Sequence, residues 1–266
     1  MRLGRIATPD GLCFCVVEGE DDTNLTCKEI KGHPFQAPEF TGREWPLNDV
    51  RLLAPMLPSK VVAIGRNYAD HVKEVFNKSA ESLPPTIFLK PPTAIVGPGA
   101  AIKIPEFATK VEFEGEIAMV ISRPCKNVKA ADWQSYVLGF TIMNDVSSRD
   151  LQFKDGQWSR AKGIDTFGPM GPWIETDLSK FDLDNHPIRA HLTQNGETTT
   201  PQDSNTNQMI MNFGEILEMI SASMTLLPGD VITTGSPAGT KEMFPGDFIE
   251  IDVPGLGKLG NPVERA

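Results

Sequence analysis

One short segment constrains this chain more than any other: Val111-Glu112-Phe113-Glu114-Gly115-Glu116-Ile117-Ala118-Met119-Val120-Ile121. Its period of two predicts a strand over 111–121, and a strand turns successive side chains to opposite faces. Val111, Phe113, Gly115, Ile117, Met119 and Ile121 then share one face. Glu112, Glu114 and Glu116 share the other, which continues into Ala118 and Val120 and therefore dips into protein. Carboxylates two apart on a strand sit roughly 6–7 Å from each other. At an effective dielectric near 20 each pair repels by about 2–3 kcal/mol. From the strand alone two readings stay open. The carboxylates surround a divalent cation, which hard oxygens suit, or the strand is a sheet edge with its acidic face in water.

The chain's 266 residues are ample for a sizeable core, in one large domain or a domain with a small appendage. A net charge of −10 repels nucleic acid and anionic membranes, so neither is expected as a partner. Cys13, Cys15, Cys27 and Cys125 lack the second pair or nearby histidine that a zinc site needs, and are expected to be small buried hydrophobes in a reduced protein. Arg2 and Arg5 precede no apolar run, and no stretch approaches eighteen apolar residues. The expectation is a cytoplasmic protein without signal peptide or membrane span.

Residues 1–17 predict a hairpin turning at Thr8-Pro9-Asp10-Gly11, within a small β-rich N-terminal region over 1–59. Strands follow at 60–64, 86–90, 102–104, 111–121 and 137–143. Short helices are expected from Asp70 and over 131–136. Asn195-Gly196 signals a type I′ hairpin within 186–199. Met209, Ile210, Phe213, Ile216, Leu217, Ile220 and Met224 fall at helical spacing, with Ser204 or Asn205 able to cap the start. Two Pro-Gly-Asp turns lead into strands at 231–234 and 248–253. Many strands and few helices predict a mostly-β α+β chain, with 60–266 as the main domain.

Four further groups could carry chemistry. Asp145 closes an apolar strand, and Ser147 with Asp150 fits a helix-capping pattern that places Arg149 and Gln152 on one face. His71 and Glu74 share a helical face, where a carboxylate raises imidazole basicity for proton transfer; a plain surface pair is the other reading. Lys162 precedes a glycine turn, as a cation for a carboxylate or a solvated side chain. Thr234-Gly235-Ser236-Pro237-Ala238-Gly239-Thr240 offers amides and hydroxyls that could hold an anion. No dinucleotide loop, P-loop or Gly-x-Ser-x-Gly elbow occurs.

Together, the stretch from Gly65 to Glu74, Glu114-Gly115-Glu116, Asn144-Asp145 with Arg149 to Gln152, Lys162 to Pro169 and Thr234 to Pro237 resemble the fumarylacetoacetate hydrolase family over roughly residues 60–263. The resemblance implies a mixed β-sandwich roll, usually a homodimer. It implies Mg²⁺ or Mn²⁺ held by Glu114, Glu116 and Asp145, leaving Glu112 as an acidic neighbour near the rim. It makes His71 and Glu74 a water-activating or proton-shuttling dyad under a lid at about 69–84. It places Lys162, Arg149 and Gln152 at the 2-oxo acid end of a small anionic substrate, and gives Ser236 a binding role. Within the family, the phrases Met56 to Gly65 and Trp158 to Asp165 are most similar to soluble bacterial oxaloacetate decarboxylases. The implied activity is divalent-metal-dependent C–C cleavage of a 2-oxo acid, oxaloacetate first. Acylpyruvate hydrolysis, or isomerisation or decarboxylation of aromatic-degradation 2-oxo dicarboxylates, is the alternative. A non-catalytic cation-binding module is the third reading, against which the extra polar equipment speaks.

Overall fold

The computed structural model describes residues 1–19 and 24–266. Strands dominate, with α-helices at α1 (Ala69–Phe76), α2 (Arg149–Asp155), α3 (Ser159–Lys162) and α4 (Phe213–Ser223) among the described residues. The main sheet runs, in spatial order, Phe40–Pro46, Thr26–Ile30, Gly11–Glu18, Arg2–Thr8, Gly168–Glu175, Val137–Asn144, Gly115–Ile121, Val231–Thr233, Val61–Gly65 and Thr86–Lys90. A second sheet orders Glu197–Asn205, Pro187–Gln194, Phe248–Val253, Gly257–Arg265 and Ile102–Ile104. Ile117, Met119 and Ile142 of the first sheet share one core with Ile188, Leu192, Ile249 and Ile251 of the second, so the two sheets pack as a roll. The first strand pairs with Gly168–Glu175 through Leu3 and Ile174, which makes the N-terminal strands part of the main sheet.

Local chemistry explains most elements. The first hairpin turns at Pro9-Asp10, and the second at Asn195 and Gly196 with φ of 51° and 83°, as a type I′ turn requires. Asp230 and Asp247, ending the two Pro-Gly-Asp turns, accept hydrogen bonds from Leu227 N and Phe244 N. All four cysteines are free thiols. No helix among the described residues is long and apolar enough to cross a membrane.

Three expectations change. The long helix begins at Phe213, because Asn67 engages the segment before it: its carbonyl accepts from Ile210 N and its side chain binds Met211 N and O. Asn212 then caps the helix in a capping box with Glu215. The helix carrying Arg149 starts after Ser148, whose hydroxyl donates to Asp150 and makes no capping bond, and Ser147 instead pairs with Glu112 in a short two-stranded ladder. The acidic strand breaks at Phe113-Glu114 into Val111–Glu112 and Gly115–Ile121.

Candidate active site

That break builds the site. Glu112 pairs with Ser147 before it and Gly115 with Asn144 after it, so the register is the same on both sides and sets Asp145 opposite Glu114. Asp145 N donates to Glu114 O at 2.8 Å, and Glu114 N donates to Asn144 Oδ1 at 3.0 Å. Glu114, Glu116 and Asp145 are buried, and one carboxylate oxygen from each lies within 4.8 Å of the others. They form the one group of three or more potential metal ligands among the described residues.

Cations hold this cluster together. Lys162 at the end of α3 is buried, with Nζ 2.5 Å from Glu114 Oε2 and 2.6 Å from Asp145 Oδ2. Lys90, ending the strand Thr86–Lys90, places Nζ 2.6 Å from Asp145 Oδ1 and also donates to Lys162 O. Arg149 reaches Glu112 Oε2 at 2.7 Å, Gln152 Oε1 at 2.8 Å and Glu114 Oε1 at 2.6 Å. The last contact is an ion pair, and Glu114 Oε1 receives no hydrogen bond of good geometry. Burial alone would raise Glu114, but the Lys162 and Arg149 charges hold its pKa well below the carboxylate range. Glu116 has less cationic help: burial and the Asp145 and Glu114 charges push it well above that range. Burial would lower Lys162, yet Asp145 and Glu114 raise it on balance.

The donor set fits a hard divalent cation. Three convergent oxygens are buried, one carboxylate is disfavoured as an anion, and one oxygen lacks a hydrogen bond.

Helix α1 covers this cluster. His71 Nδ1 lies 3.3 Å from Glu74 Oε2, and His71 Nε2 lies 3.6 Å from Glu114 Oε1. Burial would lower the imidazole pKa, but the two carboxylates raise it on balance. Glu74 is fixed in turn by Gly239 N at 3.1 Å. The last residue of α1, Phe76, packs against Phe153 and Trp158. Beneath lies a cavity of about 10 Å³, room for roughly one water, whose wall includes His71, Glu114, Glu116, Gln152, Lys162 and Ser236.

The structure thus brings every expected site residue to one place, with different partners for some. Glu112 is buried rather than near the rim, accepting from Arg149 and Thr240 Oγ1. Arg149 is engaged by protein acceptors, which makes it a brace between Glu112, Glu114 and Gln152. The Thr234–Thr240 loop spends two amides on the protein's own carboxylates, Gly235 N on Glu116 at 3.0 Å and Gly239 N on Glu74. Gly235 has φ of 94°, and a Cβ there would sit 2.8 Å from Asn67 Cβ. Ser236 Oγ accepts from Gln202 Nε2 at 2.9 Å. Lys90, Arg66 and Trp158 escaped the sequence reading. A lysine closing the apolar run Thr86-Ile87-Phe88-Leu89-Lys90 was the available signal for the first.

These features define a fumarylacetoacetate hydrolase-type fold with a carboxylate triad beneath helix α1. The chain belongs to the fumarylacetoacetate hydrolase family: the profile described as Fumarylacetoacetate (FAA) hydrolase C-terminal matches residues 60–264, and an Rv2993c-like N-terminal profile matches 1–55. The solved structure of Cg1458 with inhibitor is 75% identical at a TM-score of 0.99, covering 100% of both chains. The mitochondrial oxaloacetate tautomerase Fahd2a of Rattus norvegicus is 38% identical over 82% of this chain and 71% of its own. The maleylpyruvate hydrolase of Sphingobium sp. SYK-6, solved with manganese(II) and pyruvate, is 26% identical at a TM-score of 0.79, covering 100% of both chains.

Proposed function

We propose that this family enzyme catalyses divalent-metal-dependent C–C cleavage of a small 2-oxo acid, with oxaloacetate decarboxylation to pyruvate and CO₂ its best-fitting reaction. The observation that carries this is convergence: a carboxylate triad, the Lys162 and Gln152 side chains and the His71–Glu74 dyad line one cavity or its edge. Glu114, Glu116 and Asp145 would hold Mg²⁺ or Mn²⁺. An ion bound there supplies Lewis-acid polarisation of a 2-oxo group. The rat relative's oxaloacetate tautomerase activity supports the substrate class, and the Sphingobium hydrolase, solved with manganese(II) and pyruvate, supports the metal and a 2-oxo acid ligand.

This chain's residues would do the rest. Arg149 holds Gln152 Oε1, which leaves the Gln152 NH₂ to donate to the substrate's carboxylate. Lys162 adds positive charge where negative charge develops as CO₂ departs. His71, oriented by Glu74, returns a proton to the carbon that lost CO₂. The cavity is too small for a substrate with α1 seated, so the lid lifts for entry and reseats to exclude water.

The rat relative's activity favours a second reading, in which His71 exchanges a proton at the same carbon while the 2-oxo oxygen gains or loses one, and no C–C bond breaks. Product analysis with Mg²⁺ or Mn²⁺ separates the readings. Equimolar CO₂ and pyruvate from oxaloacetate, above the protein-free rate, is the expected result. Keto–enol exchange without CO₂, or a free carboxylic acid plus pyruvate from an acylpyruvate alone, would refute decarboxylation.

A further inference from the structure

Arg66 follows the strand Val61–Gly65 in the left-handed region, at φ of 67°, a conformation uncommon for a non-glycine residue and enriched where function demands it. Its guanidinium carbon lies 5.0 Å from the Phe76 ring and 5.1 Å from the Trp158 ring. Nη1 donates to Thr86 Oγ1 at 3.1 Å, while Nε is buried with no hydrogen-bond partner.

Each of the other cations at the site is neutralised. Lys162 meets Glu114 and Asp145, Lys90 meets Asp145, and Arg149 meets Glu112 and Glu114. Arg66 alone among them has no carboxylate within ion-pair distance among the described residues, in a chain with 35 acidic and 25 basic side chains. Yet Arg66 lines the same cavity as Glu114, Glu116, His71, Gln152 and Lys162. A half-buried guanidinium with an unpartnered N–H is a planar fork suited to a carboxylate.

We propose that Arg66 binds a second carboxylate of the substrate, at the end away from the triad, and so selects 2-oxo dicarboxylates over 2-oxo acids with neutral tails. This rests on the assignment of the triad site above and adds the substrate's charge pattern to it. The 2-oxo end faces the triad, Lys162 and Gln152, and the distal carboxylate meets Arg66 beside the stacked Phe76 and Trp158 rings. Phe76 ends the lid helix, so the distal anion also sits against the lid's seat.

Calorimetric titration in Mg²⁺ tests this with two inert ligands. Oxalate carries only the proximal pattern, and malate carries the distal carboxylate as well. Arg66→Gln should weaken malate about 10–100-fold, the range for losing a charged hydrogen bond, and change oxalate less than about threefold. Arg66→Lys should recover part of the malate affinity. The KM for oxaloacetate should rise as malate binding weakens, without a fall in kcat, because the carboxylate held by Arg66 is the one that leaves as CO₂ and its charge moves to the triad end in the transition state, while the KM for a neutral-tailed acylpyruvate does not change. Equal weakening of both ligands would make Arg66 a lid latch and overturn the proposal, as would unchanged malate binding. Failure of the parent protein to bind oxalate with Mg²⁺ would instead refute the triad reading beneath it.

Discussion

Lys90 gives the sharpest test of how the triad is held. It is 1% exposed, and its Nζ lies 2.6 Å from Asp145 Oδ1. At an effective dielectric near 20 that separation corresponds to about 6 kcal/mol of gross attraction. Burial of both charges offsets part of it. Removing one partner of a buried pair costs about 3–5 kcal/mol; Asp145 would keep Lys162 on Oδ2, but its buried Oδ1 would lose its cation. Lys90→Met would also leave the Lys162 carbonyl without the ammonium that now donates to it. In a chain of this size each kcal/mol shifts Tm by about 2 °C, so the variant should melt about 6–10 °C lower in EDTA by circular dichroism. Lys90 is not on the cavity wall, so any loss of turnover passes through Asp145 or Lys162, the two site residues it holds. A variant melting within about 2 °C of the parent would refute this account of Asp145's support.

Other consequences concern the dyad, the brace and the acid limb. His71→Ala should lower kcat for oxaloacetate by about 10²–10⁴-fold while keeping the Mg²⁺-induced rise in Tm; an unchanged kcat would remove His71 as the proton carrier. Glu112→Gln should retain that rise but increase KM, since Glu112 braces Arg149 and through it Gln152. Burial would raise the Asp150 pKa, but hydrogen bonds from Ser148 and Thr109 hold it down at about 2. A depressed carboxylate contributes stability above its unfolded pKa of about 3.9 and loses it as pH falls through about 2. The Tm gap between parent and Asp150→Asn should therefore be constant above about pH 5 and close toward about pH 2; a gap that widens on acidification would contradict the assignment.

How much was legible follows from where each signal lies. Alternation along 111–121 exposed the carboxylates, and the hairpin partner ending in Asp145 was visible as an apolar strand. The type I′ hairpin and the Pro-Gly-Asp turns were legible because their chemistry is local. The start of α4 was not, because Asn67, far away in sequence, takes the hydrogen bonds of Ile210 and Met211. The partners of Glu112 and Lys90 were hidden for the same reason: each is a tertiary ion pair, between residues 37 and 55 positions apart. Periodicity assigns a face to such residues and says nothing of what faces them. Arg66 carries no signal of its own in the sequence, because its want of a carboxylate partner is a tertiary property.

The central claim is that Glu114, Glu116 and Asp145 bind the divalent ion on which turnover depends. Glu116→Gln tests it most directly, since the amide keeps the shape of a carboxyl group already disfavoured as an anion. The measurement is CO₂ release from oxaloacetate by parent and variant after chelation and stepwise return of Mg²⁺. The parent should lose activity with the metal and regain it, while the variant should need at least about tenfold more Mg²⁺ or stay inactive. Full metal-dependent turnover by the variant at the parent's Mg²⁺ requirement would contradict the claim.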